Sequence, residues 1–409
     1  MYLITILFVS CKEIVFEESI IENSDVEQII EALWSVPLTD GLDYTKGRTG
    51  LLQNEKYIVV AGSKNLQQSI RTIDVETGNE VYEWAPEKQI SGLTNYQNDD
   101  KVVFISGEYV TIFNLETGRP DRIITMDNSC NVNSFGFNNL VYFSKREKDD
   151  DDNFYYCIYE VNLNSSEDPK FVICPNYSLE YAIATGNMGS VKTILPFKEN
   201  GDTLLFVGFV ESQESTKSIS YWSLYNLTKK EWEIDKIKVN DEEFSSGITY
   251  NVFYQKNKFY FTSNRSIQCW DRFTGERIWR KNFPNYFMFS SIELIPEHNV
   301  IVGCNNVSKT YCLDIDTGNT IWVNDATSSA SRVHYQDDVI YIAGGSSGKL
   351  HAIDVVTGED IWEISSPDLE HDSQSYFSRQ INGIPAKDGE KGKIFVSSYL
   401  TAYCYEAVN

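Results

Sequence analysis

The sequence is poor in basic residues, in histidine and in methionine, and it holds no long apolar run. Lys and Arg total 35 against 59 Asp and Glu, a formal net charge of −24. That balance excludes a nucleic-acid binder, which needs a basic footprint for the phosphate backbone. It also excludes simple electrostatic docking on anionic lipid. No stretch of 18 apolar residues occurs, so no spanning helix is expected. The four His residues, at 298, 334, 351 and 371, show no metal-ligand spacing. The eight Cys residues form no adjacent pair and no CxxC or CxxH set, so a zinc site is not expected. No GxSxG elbow occurs either. What is abundant is Tyr (25) and Phe (22), within a hydrophobic fraction of 42%. Such a chain can build a large core and leans toward β structure. Its 409 residues would by length alone suggest two or three domains.

Residues 1–10 (MYLITILFVS) are almost wholly apolar. Ten residues are too short for a bilayer core of about 30 Å but suit the apolar region of a secretory signal. The run ends in Leu7-Phe8-Val9-Ser10-Cys11, which resembles a bacterial lipobox. That resemblance implies lipidation of Cys11 and anchoring by lipid rather than spanning. The basic residues usual before such an apolar run are missing, and Phe8 stands where Leu is commonest. Residues 12–27 carry five Glu and one Asp against one Lys and are expected to form an acidic tether. Lys12-Glu13 matches a surface-export signal only in part, so periplasm-facing and surface-facing placements both stay open.

The body of the chain is organised by a short repeat: Asp, two residues, Thr-Gly, three residues, Trp. One full copy is Asp271, Thr274, Gly275 and Trp279. A second is Asp314, Thr317, Gly318 and Trp322, and a third is Asp354, Thr357, Gly358 and Trp362. A looser copy is Asp74, Thr77 and Gly78, with Tyr82 in the Trp place. Another is Asn114, Thr117 and Gly118, with Arg122 there. Three degenerate copies are marked by Asn162, by Tyr225 with Thr228 and Trp232, and by Glu406. The spacings run from 40 to 52 residues, apart from one of 63. That period suits a four-stranded propeller blade. An Asp carboxylate can close a turn on the N–H groups that follow it, and Gly supplies positive φ at the hairpin. The Trp then falls on the next strand, where it can pack on a neighbouring blade.

This pattern resembles the pyrroloquinoline-quinone-type (PQQ-like) repeat, whose members form β-propellers. The resemblance implies one all-β, eight-bladed β-propeller of four-stranded blades over residues 28–409. Seven blades are the alternative, if residues 175–250 hold one distorted blade. The stretch 29–36 fits the Trp-bearing strand that the last copy lacks, so Trp34 is expected to close the ring. The organisation is then a signal peptide at 1–10, a tether at 11–27 and a single propeller domain.

Quinone enzymes of this family carry an adjacent cysteine pair beside the cofactor, and this chain has none. No cofactor and no catalytic residue are therefore expected. Asp149, Asp151, Asn153 and Glu160 have part of the spacing of a calcium loop, but Phe154 stands where that loop needs Gly. A solvated loop is the expectation there. Cys269, Cys312 and Cys404 each sit two residues before the Asp-equivalent position, in a slot for a small buried residue. Cys304 and Cys312 fall on neighbouring strands of one hairpin and are the pair considered for a disulfide.

The expected function is a non-enzymatic interaction scaffold in the bacterial envelope, anchored at the outer membrane and monomeric. The resemblance extends to the propeller lipoprotein of outer-membrane β-barrel assembly. The acidic surface favours a basic protein partner. The alternative is a surface lipoprotein that binds a glycan, and a quinone-dependent dehydrogenase is a third reading.

Overall fold

Runs such as Lys258–Ser263 (KFYFTS) and Val339–Ala343 (VIYIA) join β-branched and aromatic residues between turn formers. In the computed structural model these runs are strands of four-stranded antiparallel sheets. The structure describes residues 20–21, 30–39, 52–64, 67–87, 93–98, 100–177, 189–214, 217–239, 248–284, 292–305, 309–325, 333–343, 348–371, 375–377 and 381–408. Cys11 and nearly all of the tether lie outside them.

Eight sheets follow one another along the chain. Blades 1 to 7 span 52–84, 93–125, 130–173, 189–238, 248–282, 292–324 and 333–365. Blade 8 takes three strands from 381–406, and its fourth is Trp34–Pro37. Trp34 stands opposite Cys404. The fold is thus the eight-bladed ring closed by the N-terminal strand. The 63-residue spacing has a local cause. Blade 4 is one blade with unusually long strands, of 11, 13, 10 and 8 residues. Ile20–Ile21 adds a parallel fifth strand to the outer edge of blade 6.

Second strands such as Val300–Cys304 and Val339–Ala343 are buried at every position. Each blade is covered on both faces by its neighbours, so inner strands lose the usual alternation of apolar and polar residues. The first hairpin of a blade is tight. Asn138-Asn139, Lys256-Asn257 and Asp337-Asp338 all take positive φ at both central residues. That matches the right-handed strand twist.

The single disulfide among the described residues joins Cys157 and Cys174 in blade 3. Cys304 and Cys312, the pair considered from the sequence, are both free thiols. The register explains why. Cys304 pairs with Thr310 and Cys312 with Val302, so the two thiols sit two positions apart along the ladder.

Candidate functional site

The repeat residues meet at the seams between blades. Asp74 Oδ1 accepts from Thr77 N at 2.8 Å, from Thr77 Oγ1 at 2.8 Å and from Glu76 N at 3.1 Å. Gly78 N then donates to Asp74 O. The full copies repeat the turn closely. Asp271 accepts from Thr274 N at 2.8 Å, Asp314 from Thr317 N at 2.8 Å and Asp354 from Thr357 N at 2.7 Å. The hydroxyls of Thr274, Thr317 and Thr357 donate to the same carboxylates. Asn114 accepts from Thr117 N at 3.2 Å and from Glu116 N at 2.9 Å. Thr77, Thr117, Thr274, Thr317 and Thr357 are all exposed, so the motif Thr acts within its turn and not in the seam. In the degenerate copies Asn162 accepts from Asn164 N, and Asn226 accepts from Thr228 N and Lys229 N. The turn residue of blade 4 is therefore Asn226, one position after Tyr225.

The motif glycines serve two needs. Gly78, Gly118, Gly318 and Gly358 all have positive φ. A Cβ on them would fall 2.6 Å from Trp34, 2.1 Å from Tyr82, 2.7 Å from Trp279 and 2.5 Å from Trp322. The large side chain of one blade therefore lies flat on the turn of the next. Its indole N–H finds an acceptor there: Trp34 on Val75 O at 2.9 Å, Trp279 on Ile315 O at 3.1 Å and Trp322 on Val355 O at 3.0 Å. Gly275 departs from this. It has φ +68, but a Cβ there would meet the aliphatic Ile237 of blade 4, at 3.2 Å, and no aromatic ring within 4 Å is among its three nearest atoms.

Cys269, Cys312, Cys404 and Ala352 stand directly opposite Trp279, Trp322, Trp34 and Trp362. Burial pushes those three thiols up to about 12, so they are not nucleophiles. Arg122 bridges the seam by different chemistry. It donates to Ser165 O at 2.9 Å and Glu167 O at 2.6 Å in blade 3. Trp362 packs on Tyr341 and on the tyrosines of blade 8.

The seams around blade 4 break this pattern. Blade 3 has no Trp on its outer strand, and blade 4 has Lys230 where the turn Gly would be. Trp232 turns back onto Tyr225, ring centroids 5.0 Å apart. Its place over Gly275 is therefore left to isoleucines. A cleft of about 500 Å³ opens between blades 3 and 4, lined among others by Tyr142, Glu160, Lys170, Phe171, Tyr225 and Lys230. A second, of about 260 Å³, lies between blades 4 and 5 around Arg272 and Phe273. Both include residues of first-hairpin and motif-turn loops, so they open on the same face of the ring. Each carries an exposed phenylalanine: Phe171 is 58% and Phe273 56% exposed. Tyr159 meets Phe171 edge-on at 5.8 Å, and the Arg272 guanidinium lies 4.6 Å from the Phe273 ring. Arg272 is itself held by Glu199 at 2.6 Å and Glu233 at 2.5 Å. Burial pushes the Glu233 carboxyl up, but Asn226 and Arg272 outweigh it and hold it below its ordinary value. This arrangement can hold an apolar or aromatic group between fixed charges. The sequence does not predict the clefts, although the degenerate copies at 162 and 226 mark their place.

The structure does not bring the four calcium-loop residues together. Asp149 Oδ1 accepts from Asp151 N at 3.0 Å and Asn153 N at 2.8 Å, closing a hairpin turn. Glu160 lies far along the following strand, opposite Tyr142. The residues also do not fit the quinone site of the PQQ enzymes. The disulfide present joins cysteines 17 positions apart within one blade, and no adjacent pair exists.

Residues 221–409 match the family model described as "Outer membrane protein assembly factor BamB". The match spans the outer half of blade 4 and blades 5 to 8, where the full repeats lie. No curated protein sequence matches the chain. Among solved structures, BamB from Moraxella catarrhalis aligns with a TM-score of 0.57 at 9% identity, over 93% of this chain and 100% of that one. Sqt1 from Saccharomyces cerevisiae aligns at 0.66 and 9%, over 91% and 99%. A europium-containing methanol dehydrogenase aligns at 0.60 and 10%, over 91% and 87%. At these identities the likeness is one of fold. The match makes residues 221–409 similar to the BamB family, and the ring shows the propeller fold.

Proposed function

We propose that the chain is a non-enzymatic lipoprotein of the bacterial envelope whose propeller is a protein-interaction scaffold, with a role in outer-membrane protein assembly. The observation that carries the scaffold reading is the pair of clefts flanking blade 4, each with an exposed Phe beside fixed charges. Exposed aromatic anchors in pockets are the usual centres of protein interfaces. The family match over 221–409 supports the assembly role. The −24 charge favours a basic partner surface. Anchoring through Cys11, after removal of residues 1–10, leaves 11–27 as tether and 28–409 as the propeller. The motif tryptophans Trp279 and Trp322 lie on the turns of neighbouring blades, and Trp362 packs in one core cluster with Tyr341 and residues of blade 8. These three are therefore committed to packing and do not support the glycan alternative.

The test is a pull-down from envelope membranes with the wild type and a Phe171→Ser/Phe273→Ser double variant. The wild type should recover barrel-assembly components, and the double variant should recover at least ten-fold less. Recovery of none by the wild type sinks the assembly role. Equal recovery by both sinks the placement at the clefts. Labelled palmitate should enter the wild type and not Cys11→Ala.

A further inference from the structure

His351 lies on the third strand of blade 7, three positions before Asp354, and is fully buried. Neither of its ring nitrogens makes a hydrogen bond among the described residues. An imidazole presents a donor or an acceptor at each nitrogen, and leaving both unmet in the interior is unfavourable. Nδ1 lies 3.5 Å from Asp360 Oδ2 and 3.5 Å from Glu363 Oε2, too long for a good hydrogen bond to either. The spacing instead suits donors sharing an ion. Ligands about 2.1 Å from a tetrahedral centre lie about 3.4 Å apart. The three donor atoms all fall within 4.8 Å of one another.

The surroundings orient the carboxylates toward the imidazole. Asn324 Nδ2, from blade 6, donates to Asp360 Oδ1 at 2.9 Å. Lys349 Nζ donates to Glu363 Oε1. Each carboxylate is thus held through one oxygen and turns the other to the imidazole, as ligating carboxylates commonly do.

The repeat supplies an internal comparison. In blade 1 the same three positions are Arg71, Glu80 and Glu83. Arg71 pairs across the ladder with Glu83 as His351 pairs with Glu363. The Arg71 guanidinium stands 3.7 Å from Glu80. Blade 1 therefore sets its own cation beside the Glu80 carboxylate, with Glu83 opposite it on the ladder. Blade 7 keeps the carboxylates and replaces the cation with a metal-ligating side chain.

We propose that His351 Nδ1, Asp360 Oδ2 and Glu363 Oε2 bind one divalent transition ion, zinc by ligand type, with water completing the set. Imidazole and carboxylate donors together suit that ion. It ties the third and fourth strands of blade 7 together and, through Asn324, fastens them to blade 6.

The experiment uses the full chain, stripped with chelator and titrated with zinc by calorimetry and with cobalt by visible absorption. One ion per chain is expected, with cobalt bands of a low-coordinate site. His351→Asn, Asp360→Asn and Glu363→Gln should each weaken binding at least ten-fold, while Glu83→Gln in blade 1 should not. Circular dichroism checks that the variants fold, and the wild-type cobalt spectrum decides the matter independently of them. No stoichiometric uptake by the wild type overturns the proposal, as does undiminished binding by the folded variants. Nitrogen chemical shifts showing both His351 nitrogens protonated in zinc-saturated protein also overturn it, because the cation in the slot is then a proton.

Discussion

Gly358→Ala tests whether motif glycines are required by the neighbouring blade as well as by their own φ. Gly201 is the reference. It has φ +89, and a Cβ there would meet nothing within 4 Å. Alanine at 201 should cost only the left-handed conformation, about 1–2 kcal/mol. Gly358 has φ +75, and its Cβ would fall 2.5 Å from Trp322 Cδ2 and 2.7 Å from Cγ. That indole is 3% exposed and bonded to Val355 O, so it cannot step aside freely. Overpacking adds about 1–3 kcal/mol and loss of the indole bond about 1 kcal/mol. Gly358→Ala should then cost about 3–6 kcal/mol by the sum of these effects. Trp322→Ala should cost a similar amount as a core truncation. The double variant carries no clash and loses the indole bond only once, so its cost should fall about 2–4 kcal/mol short of the sum. Urea unfolding followed by both fluorescence and circular dichroism measures the wild type and the four variants and checks that the transitions coincide. Equal costs at 201 and 358, or an additive cycle, would refute the reasoning.

Three further outcomes are expected. Breaking the Cys157–Cys174 bridge by a double Ser substitution should lower stability by about 2–4 kcal/mol, since it closes a loop of 17 positions; equal urea midpoints in oxidised and substituted protein would contradict this. Arg122→Ala should cost about 2 kcal/mol, because charge-assisted bonds to two carbonyls of blade 3 are lost, and the same urea assay reads it. The Thr274 N–H, with Phe273 N–H and the Thr274 hydroxyl, holds the Asp271 carboxyl below its ordinary value despite partial burial. A depressed carboxyl stabilises the fold above its unfolded pKa and loses that contribution as pH falls, here below about 4. Asp271→Asn keeps the turn, as Asn114 does, and should flatten the acid limb of the stability profile; an unchanged limb would count against it.

The ring itself is legible because the repeat is local chemistry. An Asp, a Thr and a Gly at fixed offsets close one turn from their own atoms, whatever surrounds them. Trp34 is legible for the same reason, since its strand repeats the register of Trp279. What lies over each turn is less so: Gly275 carries the same motif as Gly318 and Gly358 yet receives isoleucine, because its neighbour is the degenerate blade 4. The disulfide is not legible, because Cys157 and Cys174 meet through a ladder whose bulge is invisible in spacing. Asn226 stands one position from the expected turn residue because Trp232 mimics a motif Trp while packing the other way. The clefts depend on which blade neighbours which, and the His351 cluster on the bulged pairing of two strands within blade 7, so spacing alone shows neither.

The closing ladder has a consequence for assembly in time. Strands made near the start and near the end of synthesis share blade 8, and Lys393 pairs with Glu76 across 317 positions. Until the last strands emerge, the molecule is an arc with two complementary open ends. Whether an end meets its own chain or another depends on effective concentration, which a stiff, nearly closed arc makes high. Dilute refolding therefore yields single rings, whereas crowded refolding favours exchange of the Trp34–Pro37 strand between copies.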